Sequence, residues 1–324
     1  MPTIEDRELD EYLEEVVEKL KSLSFKEALS YAIFDEEGEA DYYARLSKKA
    51  KRPSIKVLFI QMSDESRNHR NKLYALFKKV FPDEEPVKVE APPVEVVPFY
   101  TEFEKVEDYL KALEYCMESE LFAKRAYEIL SEKAVDEDAR GLFVQLSIME
   151  HSHYERIKKA YEMVLRTKRR RLIPGELEAG GYLFTDKIKA RYFFLDLIGE
   201  GNGVVITREH PKKLRSWMKR EVPVLWLSEG TLKATGVRVM SSKLLLTNVE
   251  TLAEWVKSEG FKVILLEGVE YLLLDFEERE LIKFVLLIRD LAIENGFYLV
   301  VSAEKEAFTP TNWAILQANM EGLV

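Results

Sequence analysis

Sliding the sequence along itself by 84 residues superimposes residues 28–81 on 112–165 without a gap, and 15 of those 54 positions are identical. The identities include Ala28/Ala112, Leu29/Leu113, Tyr31/Tyr115, Glu36/Glu120, Tyr43/Tyr127, Phe59/Phe143, Gln61/Gln145 and His69/His153. Apolar positions in both copies recur at helical spacing, and strand signal is almost absent from residues 1–165. Each copy reads as a helix, a short break and a second helix. A hairpin of two amphipathic helices cannot bury its apolar stripe alone, so the two copies must pair as a four-helix bundle. The expected helices lie near 24–50, 54–80, 104–133 and 137–168, with an extra N-terminal helix over 5–22. Between the copies, residues 82–98 hold five of the eleven prolines. A helix cannot pass through that stretch, which therefore reads as a long ordered crossover.

Polar residues kept in both copies mark the chemistry. Glu150 and His153 are three apart and share one helix face. Glu120 lies on the preceding helix, and Glu36 and His69 hold the equivalent places in the first copy. A bundle brings these faces together at its centre. Buried, unpaired carboxylates are costly, and cations are the natural compensation. Carboxylate with imidazole is a donor set for iron or manganese. Only four histidines exist, and two of them are repeat-equivalent. His151 is expected to face outward. Tyr31, Tyr43, Tyr115 and Tyr127 read as core packing, with hydrogen bonding to ligands as the second option. Cys116, four residues before Glu120, reads as buried packing.

The motifs AIFDEEGEADYY (32–43), FIQMSDESRNH (59–69), CMESELFAKRAY (116–127) and FVQLSIMEHSH (143–153) resemble those of the rubrerythrin branch of the ferritin-like superfamily. The resemblance covers residues 24–165. It implies a ferritin-like bundle with two iron ions, manganese being possible, and an oxidoreductase that reduces peroxide or dioxygen or oxidises ferrous iron. The family pattern expects Glu at position 66, where this chain has Ser66. Neighbouring Glu65 points about 100° away on an ideal helix, and nothing in the sequence demands a π-bulge to swing it inward. Glu39, three residues after Glu36, is the better substitute. The family carries a further carboxylate where this chain has Ala123. The expected ligand set is then Glu36, Glu39, His69, Glu120, Glu150 and His153; the alternative is a depleted site for one metal.

Residues 181–324 read differently. Short β-branched or aromatic runs at 181–185, 203–207, 222–227, 261–266 and 297–302 alternate with amphipathic helices near 188–198, 211–220, 248–259, 277–294 and 311–321. That alternation predicts an α/β domain with a mostly parallel sheet. The domains are expected at 1–168 and 181–324, joined by a linker over 169–180, a boundary marked by Pro174 and the Gly180–Gly181 pair. Its preceding basic run reads as a solvated helix end. Gly199, Gly201 and Gly203 precede a strand and do not form a dinucleotide fingerprint, and no P-loop is present, so no nucleotide is expected. Glu267 resembles the acidic-strand half of an ATPase motif without its partner. Arg208, Glu267 and Glu270 mark where a ligand would bind an open sheet. The phrases ITREHPKKL, VLWLS and VILLEGVEYLL resemble an archaeal domain family of unknown function found beside sensor or regulatory modules, which implies a docking or signalling role.

Composition narrows the setting. The net charge of −10 disfavours nucleic acid as a partner. One cysteine excludes a disulfide framework, a Cys-based zinc site and a rubredoxin-type iron. Electrons would therefore come from a separate donor. The acidic N-terminus is unlike a signal peptide, and the most apolar run, residues 263–274, is too short to cross a bilayer. A cytoplasmic homodimer with no membrane partner is expected. Charged residues at 33% with seven Asn and three Gln resemble a thermophile's composition. The sequence leaves two further functions open: a non-catalytic metal- or redox-sensing scaffold signalling through the α/β domain, and a metal-free interaction protein whose Glu cluster is satisfied by Lys or Arg.

Overall fold

The computed structural model describes residues 19–89, 102–134, 137–170, 177–199, 201–229, 235–247 and 249–322. They form two compact units, one over residues up to 162 apart from 52–57, the other over 52–57 and everything from 163. Most of the expected N-terminal helix, part of the proline-rich crossover and part of the expected linker lie outside the described residues.

The first unit holds α1 (Phe25–Lys49), most of α2 (Pro53–Val80), α3 (Val106–Lys133) and most of α4 (Glu137–Arg170). These match the four expected helices to within two residues. Ser24 and Glu27 form a capping box at the start of α1, which satisfies donors that a helix start leaves unpaired. Lys48 and Lys49 sit in its last turn, where cations complement the helix dipole. Pro53 opens α2, where a missing backbone N–H costs nothing. The buried stripe of α1 runs through Ala28, Ala32, Glu36, Glu39, Ala40 and Tyr43, and that of α3 through Ala112, Cys116, Glu120, Ala123 and Tyr127. Three of those are carboxylates in an otherwise apolar core, and their burial needs a reason.

The second unit is a seven-stranded sheet of order β4-β3-β2-β5-β6-β1-β7, with every pairing parallel. The strands are β1 (Gly180–Phe184), β2 (Gly203–Thr207), β3 (Val224–Leu227), β4 (Val237–Met240), β5 (Val263–Glu267), β6 (Tyr298–Ser302) and β7 (Glu321–Gly322). The helices are α5 (Lys187–Ile198), α6 (Pro211–Met218), α7 (Ser242–Thr247), α8 (Val249–Ser258), α9 (Val269–Leu272), α10 (Glu278–Asn295) and α11 (Pro310–Asn319). Two strands escape the sequence pattern. β4, an edge strand reading VRVM, is only partly buried, so it lacks a continuous apolar run. β7 has two residues, and the helix expected to run to 321 ends at Asn319.

One sheet face packs Val204, Ile206, Leu225, Ile264, Leu266 and Leu299 with residues of α8, α10 and α11. On the other face, Tyr182 and Phe184 lie 5.3 and 5.2 Å from the Phe193 ring of α5. The chain leaves β2 toward β3 and leaves β5 toward β6, so the adjacent carboxyl ends of β2 and β5 form a topological switch point.

The glycines that precede β2 have structural duties. Gly199 caps α5 with φ at 48°, a conformation that disfavours a side chain. A Cβ on Gly203, the first residue of β2, would collide with Ile198 Cγ2 and lie 2.8 Å from Phe194 Cε2. Gly203→Ala should therefore destabilise the α/β unit by about 1–3 kcal/mol through overpacking. Urea unfolding followed by circular dichroism measures this, and an unchanged midpoint would refute the close approach of α5 to β2.

Candidate metal centre

Each bundle helix sends at least one polar side chain into the centre: Glu36 and Glu39 from α1, Ser66 and His69 from α2, Glu120 from α3, and Glu150 and His153 from α4. All seven are buried. Two three-residue clusters result, Glu36–His69–Glu150 and Glu120–Glu150–His153, each offering ligand atoms within 4.8 Å of one another. Glu150 belongs to both. Its Oε1 lies 3.2 Å from His69 Nδ1 and its Oε2 lies 3.0 Å from His153 Nδ1. His69 Nδ1 also faces Glu36 Oε1 at 3.3 Å, and His153 Nδ1 faces Glu120 Oε2 at 3.2 Å. The two imidazoles stack nearly parallel, 5.3 Å between centroids.

The repeat explains this arrangement. Glu36 and Glu120 are equivalent, as are His69 and His153, and so are two tyrosines. Tyr43 on α1 donates to Glu120 on α3, and Tyr127 on α3 donates to Glu36 on α1. Each copy thus holds the carboxylate of the other. These are the ligand-contacting tyrosines that the sequence left as a second option. His151 is exposed and Cys116 is buried, as read from the helix periodicity.

The electrostatics are unbalanced. Burial raises the pKa of Glu36, and it raises Glu39 well above its usual value, with Glu120 and Glu150 adding to the shift. Glu120 is pushed up to about 7 by burial, against the opposing pull of His153. Burial lowers the affinity of His69 for a proton, but Glu150 and Glu36 outweigh it and bring its pKa up to about 9. His153 is likewise raised, burial being overcome by Glu150 and Glu120. Glu36 Oε2 and His69 Nε2 are buried with no hydrogen-bond partner among the described residues, and His69 Nδ1 and Glu150 Oε1 face each other at 3.2 Å without the alignment of a hydrogen bond. Buried polar atoms are rarely left so. The ion-pair partners of Glu36, Glu120 and Glu150 among the described residues are the two histidines. This arrangement does not meet the expectation of the metal-free reading, in which Lys or Arg satisfies the cluster. Four carboxylates and two imidazoles fit two divalent cations, because with neutral histidines the formal charges cancel.

Glu39 stands apart from the two clusters. Its Oε2 accepts from Ser66 Oγ at 2.9 Å, so the hydroxyl at the position where a ligand Glu was expected holds another carboxylate. Glu65 does not turn toward the cluster centre, and α2 passes this point as an uninterrupted α-helix. It reaches the far side of His153, with Oε2 2.9 Å from Nε2. Arg156 grips both its oxygens, at 2.7 and 2.6 Å. Sequence reasoning missed this contact; the available signal was Arg156, three residues after His153.

Residues 27–161 match the family model described as rubrerythrin. The first half of the chain is a rubrerythrin-type domain. Residues 183–320 match the model of a protein family of unknown function, DUF835. A hypothetical protein from Pyrococcus furiosus of known structure is 30% identical, with 46% of this chain and 95% of that chain aligned and a TM-score of 0.43. No curated protein matches the chain. Among the described residues, no helix is long and apolar enough to cross a membrane.

Beyond the rubrerythrin-type domain, the DUF835 domain also buries charge, at its switch point. Glu267, at the end of β5, is fully buried. Arg191 of α5 binds it through Nε at 2.9 Å and Nη2 at 2.6 Å, and Thr207 Oγ1 donates at 2.9 Å. Arg191 also pairs with Glu209 and lies 5.0 Å from the Trp217 ring centroid. The acidic residue that resembled half of an ATPase motif is thus engaged by a guanidinium. Arg208 is exposed, with its guanidinium near the rings of Trp226 and Tyr271, and Glu270 is half-buried. Of the three strand-end residues singled out in the sequence, only Glu267 joins this network.

Removing Glu267 would leave the buried Arg191 guanidinium with one of its two carboxylate partners, Glu209. Glu267→Ala should destabilise the DUF835 domain by about 3–5 kcal/mol, and adding Arg191→Met should recover most of the loss. Denaturant unfolding of both variants checks this; equal instability of single and double variants would show that the pair is not the cause. Burial would raise the Glu209 pKa, but Lys187 and Arg191 overcome it and lower the value from 4.5 to about 2. Its contribution to stability is therefore present above 4.5 and lost as pH falls toward 2. Glu209→Gln should lower the melting temperature at pH 6 and have little effect near pH 2. A pH series of thermal melts tests the sign.

Proposed function

We propose that the rubrerythrin-type domain is a di-iron centre, with manganese as the other candidate metal, and that it reduces peroxide or dioxygen or oxidises ferrous iron. The observation behind this reading is Glu150, whose two oxygens face different histidines. One carboxylate oriented toward two clusters is suited to bridging two cations. In this reading, Glu120, Glu150 and His153 would hold one ion, and Glu36, His69 and Glu150 would hold the other. Glu39 stands ready as a further ligand, steadied by Ser66. When bound, the metal pair supplies redox change and Lewis acidity. Tyr43 and Tyr127 donate to the carboxylates of Glu120 and Glu36 and hold them in orientation. The surrounding apolar stripe limits water.

Electrons would come from a separate donor, since the single buried Cys116 cannot build a Cys-ligated iron relay. A homodimer and a docking or regulatory role for the DUF835 domain belong to the same proposal. The second reading is a metal- or redox-sensing scaffold, favoured by Ser66, because loss of a ligand fits relaxed catalysis.

Anaerobic reconstitution with ferrous iron, followed by elemental analysis of washed protein, should give near two irons per chain. Glu120→Ala should lower that number. Iron loading unchanged by Glu120→Ala and by His153→Ala would defeat the di-iron reading. Turnover with reductant and peroxide separates the two functions: a sensor would bind metal and change assembly without turnover.

A further inference from the structure

We infer that the two metal positions of the bundle are unequal, and that Glu65, clamped by Arg156, makes the Glu120–Glu150–His153 position the tighter one. The inference rests on the di-metal reading and goes beyond it, because it assigns an order of filling and a positioning residue outside the ligand set.

An imidazole that binds a cation through Nδ1 must carry its proton on Nε2. What faces Nε2 therefore decides how readily Nδ1 becomes a ligand. For His153 the arrangement is complete. Nδ1 points at Glu120 Oε2 and Glu150 Oε2, while Nε2 lies 2.9 Å from Glu65 Oε2. With the proton on Nε2 the ring donates to that carboxylate, a contact that favours the tautomer in which Nδ1 is open to a cation and that sets the ring plane. Glu65 is itself held. Arg156 donates from Nη1 to Oε1 and from Nη2 to Oε2, a two-point grip that leaves the carboxylate one orientation. Glu65 comes from α2 and Arg156 from α4, so the clamp joins two helices behind the ligand.

His69 is built differently. Its Nδ1 lies 3.3 Å from Glu36 and 3.2 Å from Glu150, and among the described residues no carboxylate stands behind its buried Nε2. A proton placed on Nε2 there would be a buried, unsatisfied donor. Among the described residues no acceptor faces His69 Nε2, so nothing there stabilises the tautomer that leaves Nδ1 open to a cation. The 84-residue repeat locates the difference. The position equivalent to Glu65 is Met149, and the position equivalent to Arg156 is Lys72. The two copies share the histidine but not the group behind it.

Loss of such an outer partner typically weakens metal binding by about 10–100-fold. Anaerobic titration of the metal-free full chain with cobalt(II), read by visible absorption and calorimetry, should show two steps separated by about that factor. His69→Ala should abolish the weak step and keep the strong one. Glu65→Ala should weaken the strong step by about 10–100-fold and leave the weak one in place. Glu65→Gln, which keeps an acceptor oxygen but not the charge, should recover part of the loss. Arg156→Met should weaken the same step if Glu65→Ala does not fold. A merely structural role would lower the melting temperature without moving one step relative to the other. Two equal affinities in the unaltered chain, or equal weakening of both steps by Glu65→Ala and Arg156→Met, overturn the inference while the di-metal reading stands. No cobalt bound at all overturns the di-metal reading, and this inference with it.

Discussion

Burial of like charge at the centre of the bundle is the constraint on which the rest of the first unit depends. Glu36, Glu39, Glu120 and Glu150 are withdrawn from water and brought close together. In a medium of low dielectric, such a group destabilises itself unless opposite charge is supplied. The two imidazoles offset only part of it. Hydrogen bonds from Tyr43, Tyr127 and Ser66 hold the carboxylates in place but contribute no charge. The remaining deficit, with orphaned atoms on Glu36, Glu150 and His69, fits a site that would take cations.

Internal duplication gives this centre its symmetry, and later divergence removes part of it. Exchange of tyrosine–carboxylate contacts between copies requires α1 and α3 to face one another about a common axis, so those contacts restrain both residues of each pair. Three substitutions then break the equivalence. Ser66 opposes Glu150, Glu39 opposes Ala123, and Glu65 opposes Met149. All three lie within one helical turn of a ligand position, where a change alters the chemistry of the site with little effect on the packing of the bundle.

In the α/β unit, charge is also buried, but here it is matched. Glu267 sits at the switch point where open parallel sheets commonly bind ligands, and Arg191, Thr207 and the nearby Glu209 form a closed network around it. A satisfied ion pair in that position stabilises the junction of β2, β5 and α5. The contrast between the two units is informative. Buried carboxylates with guanidinium partners are structural, whereas buried carboxylates whose partners are each other and two histidines point to a ligand.

Sequence alone determined the four helices, the parallel character of the sheet and the residues brought together at the bundle centre. Each of those follows from a periodicity or a repeat: 3.6-residue spacing of apolar positions, short β-branched runs, and an 84-residue offset that forces Glu36 with Glu120 and His69 with His153 into related places. Short or half-exposed pieces such as β4 and β7 were not legible, because their residues lack a continuous apolar signal. Tertiary structure decided which side-chain atoms meet. That Glu150 faces both histidines, that Ser66 holds Glu39, that Arg191 neutralises Glu267, and that Glu65 stands behind His153 are contacts between different helices or strands. Their geometry depends on side-chain rotamers and on the rotation of each helix about its axis, which spacing along one chain segment does not specify.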